Sequence, residues 1–519
     1  MYITQGLHRA LQQKPDAVAV RFGGRERSYK EFVGRVARLA GALRTLGMEA
    51  GDRVAMLALN SDLYLEYQFG VVWGGGVLNP CNTRWSAAEI IYSLQDSTSS
   101  ILVVDDVFAA LAAHIVKEVA SITHVIYAGE GETPAGMIGY ESLLRGSAPV
   151  EDACRRGDAL AGLFYTGGTT GFPKGVMLSQ ANLCSSALAG IAEGLAEPNR
   201  VYLHAAPMFH LADMAFSMMH GLCGNTHAFV PGFTADGVLA SITRDRVTDV
   251  LLVPTMIQML IDHPLMQEAP DLSSLKRIYY GASPISEAVL DRAMAALPGV
   301  QFTQAYGMTE LSPIATLNHA WYHTVEGRKA GKLRSAGRAT FGTEVKIVDA
   351  DGVEVARGEV GEVAVRGANV MLGYWNNPEQ TAAAIRNGWM HTGDGAYMDA
   401  DGFIFVVDRM KDMIISGAEN IFSAEVENAI ASHTGVASCA VIGIPHAVWG
   451  ESVHAVIVAR PGAAPAAEDI IAHCRTRIAG YKCPRSIAFV DQLPLSGAGK
   501  ILKNKLREPF WDGRQRAIS

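Results

Sequence analysis

The sequence predicts an α/β protein that ends in a small α+β module, on three observations. Its 519 residues exceed what one hydrophobic core holds, because single cores rarely grow past ~300 residues. Helical and strand-like spacings alternate from the N-terminus to about residue 310, the pattern of helices packed on mainly parallel sheets. The texture then changes twice. Helices thin out after about residue 335, and a compact mixed segment of roughly 110 residues, near the usual domain size, follows Asp408. A boundary near 409–411 gives domains 1–409 and 410–519.

Glu31 to Leu46 reads as an amphipathic helix, with Phe32, Val33, Val36, Leu39 and Leu43 near helical spacing. Arg53 to Leu59 and Ile101 to Asp105 read as buried strands. The alternation resumes with a strand at Val250 to Val253, a helix from Thr255 to Asp262 and a strand from Arg277 to Tyr280. Glu344 to Val348, Gly361 to Val365 and Phe403 to Val407 alternate as strands, with Asp-Gly turns at 351–352 and 401–402. In the last module, Glu425 to Ser432 and Ala467 to Ile478 read as helices. Ser438 to Ile442, Val453 to Val458 and Ile487 to Val490 read as strands.

Composition excludes several classes. Apolar residues make up 49% and charged residues 18%, which describes a well-packed globular chain. The net charge of −8 argues against a nucleic-acid surface and requires local basic groups for any anionic ligand. No apolar run reaches the ~18 residues of a membrane span, and the first residues carry no secretory pattern. Cys81, Cys154, Cys184, Cys223, Cys439, Cys474 and Cys483 are scattered without a C-x-x-C. The expectation is reduced thiols in a cytoplasmic protein, with neither a disulfide frame nor a zinc site.

Tyr165-Thr166-Gly167-Gly168-Thr169-Thr170-Gly171-Phe172-Pro173-Lys174-Gly175 carries the most chemistry. Its glycines let the backbone approach a ligand closely. Successive N–H groups make an anion nest, and the threonine hydroxyls and Lys174 add donors and charge. It is no Walker A loop, since Gly175 follows the lysine where Ser or Thr is needed. Other segments converge on a nucleotide. Tyr306-Gly307-Met308-Thr309-Glu310 sets a hydroxyl and a carboxylate after a tight turn, and a carboxylate with phosphates is how Mg²⁺ is usually held. Thr392-Gly393-Asp394 offers acceptors for a ribose diol. Asp408-Arg409-Met410-Lys411-Asp412 is a dense charge cluster, and Ser496-Gly497-Ala498-Gly499-Lys500 puts one lysine on a flexible tip.

In this order, from about residue 25 to 510, the segments resemble the adenylate-forming superfamily of acyl-CoA synthetases, luciferases and peptide-synthetase adenylation domains. Pro207-Met208-Phe209-His210 and His391 to Asp394 belong to the same set. The resemblance implies a large N-terminal domain of αβαβα-type sheets with a β-barrel-like subdomain, and a small mobile C-terminal domain. It implies that a carboxylic acid joins ATP to give an acyl-adenylate and pyrophosphate, and that CoA then displaces AMP. Because a carboxylate must attack a polyanion, positioning and charge neutralisation make up most of the catalysis.

The same resemblance assigns roles. Thr166, Gly167, Gly168, Thr169, Thr170, Gly171 and Lys174 would cradle the outer phosphates. Glu310 would hold Mg²⁺, with Thr309 beside the α-phosphate. Gly281, Ala282 and Ser283 would form the adenine-side turn, and Tyr306 would stack on the base. Asp394 and Arg409 would take the ribose hydroxyls. Lys500 would bridge the attacking carboxylate and the α-phosphate, and Lys411 would be the hinge. Gly417 and Ala418 would line the pantetheine tunnel, with Trp449, Tyr481, Lys482 and Arg485 beside CoA. His210 matches a gating position. Three departures stand out: Gly167 where many relatives have serine, Ala418 in place of a second glycine, and Cys483 where some relatives place a basic residue.

By the same resemblance, Leu211, Ala212, Met214, Ala215, Val253, Met256, Tyr280, Gly281, Ala305, Gly307, Ser312 and Pro313 would line the acyl pocket. The set is apolar with several small side chains, and no buried Lys or Asp is expected to recognise an amino acid. The expected substrate is a small-molecule carboxylic acid, a fatty acid first, with a hydroxycinnamate or other aryl acid as the alternative. Residue types alone do not set chain length, since methylenes discriminate weakly. Transfer to a carrier protein is a lesser alternative, because no carrier-like extension follows residue 510. A non-catalytic nucleotide binder is disfavoured by the intact Lys500, Glu310, Asp394 and Arg409. ATP, Mg²⁺ and coenzyme A are the implied cofactors. The sequence does not fix the oligomeric state, and a homodimer is among those it allows.

Overall fold

The computed structural model describes residues 1–166, 173–283, 285–409, 412–416, 419–446, 448–496 and 501–511. Two large sheets organise the first 340 residues. One has eight strands, with a parallel run built from Arg53–Leu57, Val77–Pro80, Ile101–Val104, His124–Tyr127 and Leu160–Thr166. The other has nine strands, whose parallel centre comprises Val201–His204, Thr226–Phe229, Asp249–Leu252, Arg277–Gly281 and Gln301–Gly307.

The period of two along these strands sorts side chains into layers. Val54 and Met56 face a central core, whereas Ala55 and Leu57 face an outer one. In the second sheet Tyr202, Leu251 and Tyr279 face the central core. Leu203, Leu252 and Tyr280 face a separate cluster under helices Ala235–Asp245, Pro254–Ile261 and Glu287–Ala296. Helices Tyr29–Thr45, Asp62–Trp73, Gln180–Ala192 and Leu211–Cys223 fill the space between the sheets. The result is five layers, αβαβα, as the sequence resemblance implies.

Helix Tyr29–Thr45 starts where Ser28 accepts from Glu31 N and Glu31 answers with a bond to Ser28 N, a reciprocal cap. Helix Asp62–Trp73 is buried on every side, so it shows no amphipathic stripe and its spacing alone predicts nothing. Its Glu66 is carried inside by Arg35, at 2.6 Å, and by the Tyr140 hydroxyl, at 2.8 Å.

Thr343–Val348, Gly361–Gly367, Trp389–Met398 and Ile404–Arg409 form an antiparallel sheet joined by the short Ile385–Arg386. This sheet stands where the barrel-like subdomain is expected. The last module has its own five-stranded sheet, led by the long pair Val436–His446 and Gly450–Ala459. Helices Ser423–Ala431 and Ala467–Arg475 cover a core of Ile414, Val426, Ile430, Val441, Ile457 and Ile470.

Candidate active site

The glycine-threonine loop joins two antiparallel strands, Leu160–Thr166 and Lys174–Ser179, in which Thr166 pairs directly with Lys174. Both residues therefore stand at the base of a hairpin tip. Gly167, Gly168, Thr169, Thr170 and Gly171 lie outside the described residues, as do Lys411, Gly417, Ala418 and Lys500. Of Arg409 only the backbone is described.

The hairpin base is tied in on both sides. The Tyr165 hydroxyl donates to Asp96 Oδ2 at 2.5 Å, and Trp375 Nε1 donates to the Asp96 carbonyl at 3.0 Å. Burial, reinforced by the Asp96 charge, holds the Tyr165 hydroxyl well above its ordinary pKa, so it stays a donor. Opposite, Lys174 Nζ lies 5.1 Å from the centroid of the Tyr374 ring, within reach of a cation–π attraction. The Tyr374 hydroxyl donates to Glu310 Oε1 at 2.8 Å. Its pKa too is raised, by burial first and then by the Glu310 charge. Lys174, Tyr374 and Glu310 thus form a chain from the phosphate hairpin to the carboxylate expected to hold Mg²⁺. A buried, oriented carboxylate oxygen is the hard donor that ion prefers.

Glu310 sits in the short turn Thr309–Leu311 with Thr309 beside it, half-buried. Two asparagines fix that turn. Asn369 Nδ2 donates to the carbonyls of Leu311, at 2.9 Å, and Ile314, at 3.1 Å. Asn182, which caps the helix after the hairpin, donates to the carbonyls of Ala368, at 2.9 Å, and Val370, at 2.8 Å. The Met371 N–H closes the link on the Glu310 carbonyl at 2.9 Å.

The ribose-side residues also meet. The Tyr306 hydroxyl donates to Asp394 Oδ2 at 2.8 Å, and Asp394 pairs with Arg409 across adjacent strands. Gly281 pairs with Ala305, next to Tyr306. A Cβ at Gly281 would lie 2.1 Å from the Ala305 carbonyl oxygen, and one at Gly307 would lie 1.9 Å from that of Pro313. Neither position has room for any side chain. Ala282 follows in the left-handed region, with φ +67, and is exposed, with Ser283 half-buried behind it.

The residues expected to line the acyl pocket fall on two sides of the nine-stranded sheet. Ala212, Met214 and Ala305 belong with the central core, whereas Val253, Met256 and Tyr280 belong with the outer cluster. His210 precedes helix Leu211–Cys223 at its N-cap, its ring 4.4 Å from that of Phe209. Ser312 is buried at the left-handed φ of +64 and Pro313 follows it. The Tyr280 hydroxyl is bonded to His323 Nε2 at 2.8 Å.

In the small module Trp449 and Tyr481 are both exposed, and the Arg485 guanidinium lies 5.5 Å over the Trp449 ring. Lys482 is held by both oxygens of Glu425 at 2.8 Å each. Cys483 is buried in the module's core, so it does not face that surface.

Tyr374, Asp96, Asn182 and Asn369 are the site residues that sequence reasoning missed. The aromatic pair Tyr374-Trp375 ahead of Asn376-Asn377 reads as an ordinary turn. Only its position across from the hairpin reveals its use.

Comparison with known proteins identifies the family. The AMP-binding enzyme family model matches residues 7–375, and that of the AMP-binding enzyme C-terminal domain matches residues 425–500. The feruloyl-CoA synthase of Amycolatopsis sp is 41% identical, over 97% of this chain and 98% of its own. The fatty acid--[acyl-carrier-protein] ligase ScoC of Streptomyces coeruleorubidus is 34% identical, over 98% and 96%. The crystal structure of the anthranilate CoA ligase AuaEII in complex with anthranoyl-AMP superposes with a TM-score of 0.90 at 28% identity, covering 98% of this chain and 97% of that one. With both regions matched, the chain belongs to the AMP-binding enzyme family of adenylate-forming enzymes.

Proposed function

We propose that the protein is an AMP-forming acid–CoA ligase acting on an apolar carboxylic acid. The observation that carries this reading is the continuous contact from Lys174 through Tyr374 to Glu310. It links the hairpin that would take a triphosphate to the carboxylate that would hold Mg²⁺. Lys174 and the hairpin N–H groups offset the charge of the leaving pyrophosphate. Glu310 would supply an oxygen ligand to Mg²⁺, whose charge would offset that of the polyphosphate. Asp394 and Arg409 hold the ribose, and Tyr306 both orients Asp394 and offers its ring to the base. Lys500 brings a compact positive charge to the attacking carboxylate, carried by a domain 410–519 that turns about Lys411. In the second half-reaction Gly417 and Ala418 line the thiol's approach, and the Trp449–Arg485 stack meets the CoA nucleotide.

The fatty-acid reading rests on the apolar pocket and on the kinship with ScoC, whose own substrate is a fatty acid. A second reading, a hydroxycinnamate or other aryl acid, is favoured by the higher identity to feruloyl-CoA synthase. The same comparison favours CoA over a carrier protein as acceptor. The test is release of AMP and pyrophosphate with ferulate, p-coumarate, octanoate and palmitate, with and without CoA. Thioester formation with octanoate or palmitate supports the fatty reading, and with ferulate or p-coumarate the aryl one. Pyrophosphate exchange without any CoA thioester would place the acceptor elsewhere, and no exchange with any acid would defeat the proposal.

A further inference from the structure

His8, Asp152 and Cys154 stand apart from the nucleotide site. Cys154 precedes strand Leu160–Thr166, whereas the phosphate loop leaves its other end. The imidazole nitrogen, carboxylate oxygen and thiol sulfur all lie within 4.8 Å of one another, and all three residues are half-buried. We propose that they form a binding site for a zinc-type transition-metal dication. A nitrogen, an oxygen and a sulfur make a borderline-soft set that suits Zn²⁺ or Co²⁺, not Mg²⁺ or Ca²⁺, which prefer oxygen alone. Three protein ligands and one water complete a tetrahedron. Its bonds of ~2.0–2.3 Å require the thiol to draw in by up to about 1 Å and the His8–Asp152 pair, at 2.8 Å, to open.

The surroundings hold the donors ready. Asp152 Oδ2 accepts from the Thr4 hydroxyl at 2.5 Å and contacts His8 Nε2 at 2.8 Å, and Oδ1 accepts from the Cys154 N–H at 2.9 Å. The His8 ring stacks on Trp73, with centroids 4.8 Å apart and planes at 25°. Such outer contacts fix ring and carboxylate orientation in metal sites. Cys154 adopts a left-handed φ of +46, uncommon for a residue with a side chain. It is also the one cysteine of the seven that is not buried. On binding, the metal takes the place of the hydrogen between His8 Nε2 and Asp152, the imidazole keeps one proton on Nδ1, and the thiol proton passes to solvent. The metal would clasp helix Gln5–Gln13 to the segment that leads into the phosphate hairpin. Cysteine spacing predicts no zinc site because 144 residues separate His8 from Asp152.

The test is a Co²⁺ titration of the full chain, followed by thiolate-to-metal absorption in the near ultraviolet. Wild type should give this band at one equivalent, and Zn²⁺ should abolish it by displacement and raise the thermal midpoint. Cys154→Ser should lack the band, and His8→Ala should bind at least tenfold more weakly, each while still forming acyl-adenylate. Absence of the band in wild type, or its persistence in Cys154→Ser, would overturn the site. Metal bound in the nucleotide site instead gives no thiolate band, so it counts against the proposal too.

Discussion

At the scale of single residues, Tyr374 decides how firmly Glu310 is aimed. Tyr374→Phe keeps the ring beneath Lys174 and removes only the hydroxyl's bond to Glu310. A hydrogen bond to a charged group contributes about 1.5–3 kcal/mol, so acid-dependent pyrophosphate exchange should fall roughly ten- to hundredfold. The Mg²⁺ concentration for half-maximal exchange should rise with it; an unchanged Mg²⁺ dependence would separate Tyr374 from the metal. His323 makes a pH prediction. Burial lowers its pKa from 6.5 to about 4, and it sits neutral between the Tyr280 hydroxyl and the His319 carbonyl. The unfolded chain takes up a proton on this residue near pH 6.5 and the folded chain does not. The stabilisation is therefore complete above that pH and is lost as pH falls towards 4, at up to about 1.4 kcal/mol per pH unit. Between pH 7.5 and 5.5, urea unfolding of wild type should weaken by about 1 kcal/mol more than that of His323→Gln. Equal losses would show that His323 titrates alike in both states.

At the scale of elements, Gly281 and Gly307 close the ends of two adjacent strands where a Cβ would strike a carbonyl oxygen. Gly281→Ala should part Arg277–Gly281 from Gln301–Gly307 and cost about 1–3 kcal/mol or more, read as a lower thermal midpoint, with ATP affinity falling in the protein that remains folded. A midpoint within a degree of wild type would mean that the strands separate at no cost. The strands and amphipathic helices were legible because period two or 3.6 marks one buried face: the helix expected at Glu31 to Leu46 is Tyr29–Thr45, and the strand expected at Val250 to Val253 is Asp249–Leu252. Helix Asp62–Trp73 was not legible, because burial on all sides erases periodicity. The family was legible because its motifs set glycine, threonine, lysine and carboxylate in close sequence, the residue types that phosphate and ribose chemistry calls for. Tyr374, Asp96 and the two asparagines act across 55 to 279 residues of chain separation on partners such as Ile314, Glu310, Tyr165 and Trp375, which no local pattern encodes.

At the scale of the whole molecule, hydrogen bonds among the described residues join the small module to the rest, the Ser423 N–H to Asp408 Oδ2 at 2.8 Å among them. Gln258 Nε2 donates to the Ala437 carbonyl at 2.9 Å, and Arg84 Nη1 donates to that of Ser496 at 3.3 Å. Under the proposed domain rotation, Lys500→Ala should abolish most adenylation yet spare thioester formation from supplied acyl-adenylate. Lys411→Pro should do the opposite, because a fixed φ stiffens the pivot. Equal loss of both half-reactions in Lys500→Ala, or normal turnover in Lys411→Pro, would refute the division of labour. The nine-stranded sheet adds a constraint on altering the accepted acid. It stands like a wall between Ala212 and Met214 on one side and Val253, Met256 and Tyr280 on the other. Under the proposal that the acyl pocket lies beside helix Leu211–Cys223, a library drawn from both sides should sort itself: changes there reshape the room offered to a guest, whereas changes behind the wall alter it only by bending the wall, at the expense of a sound fold.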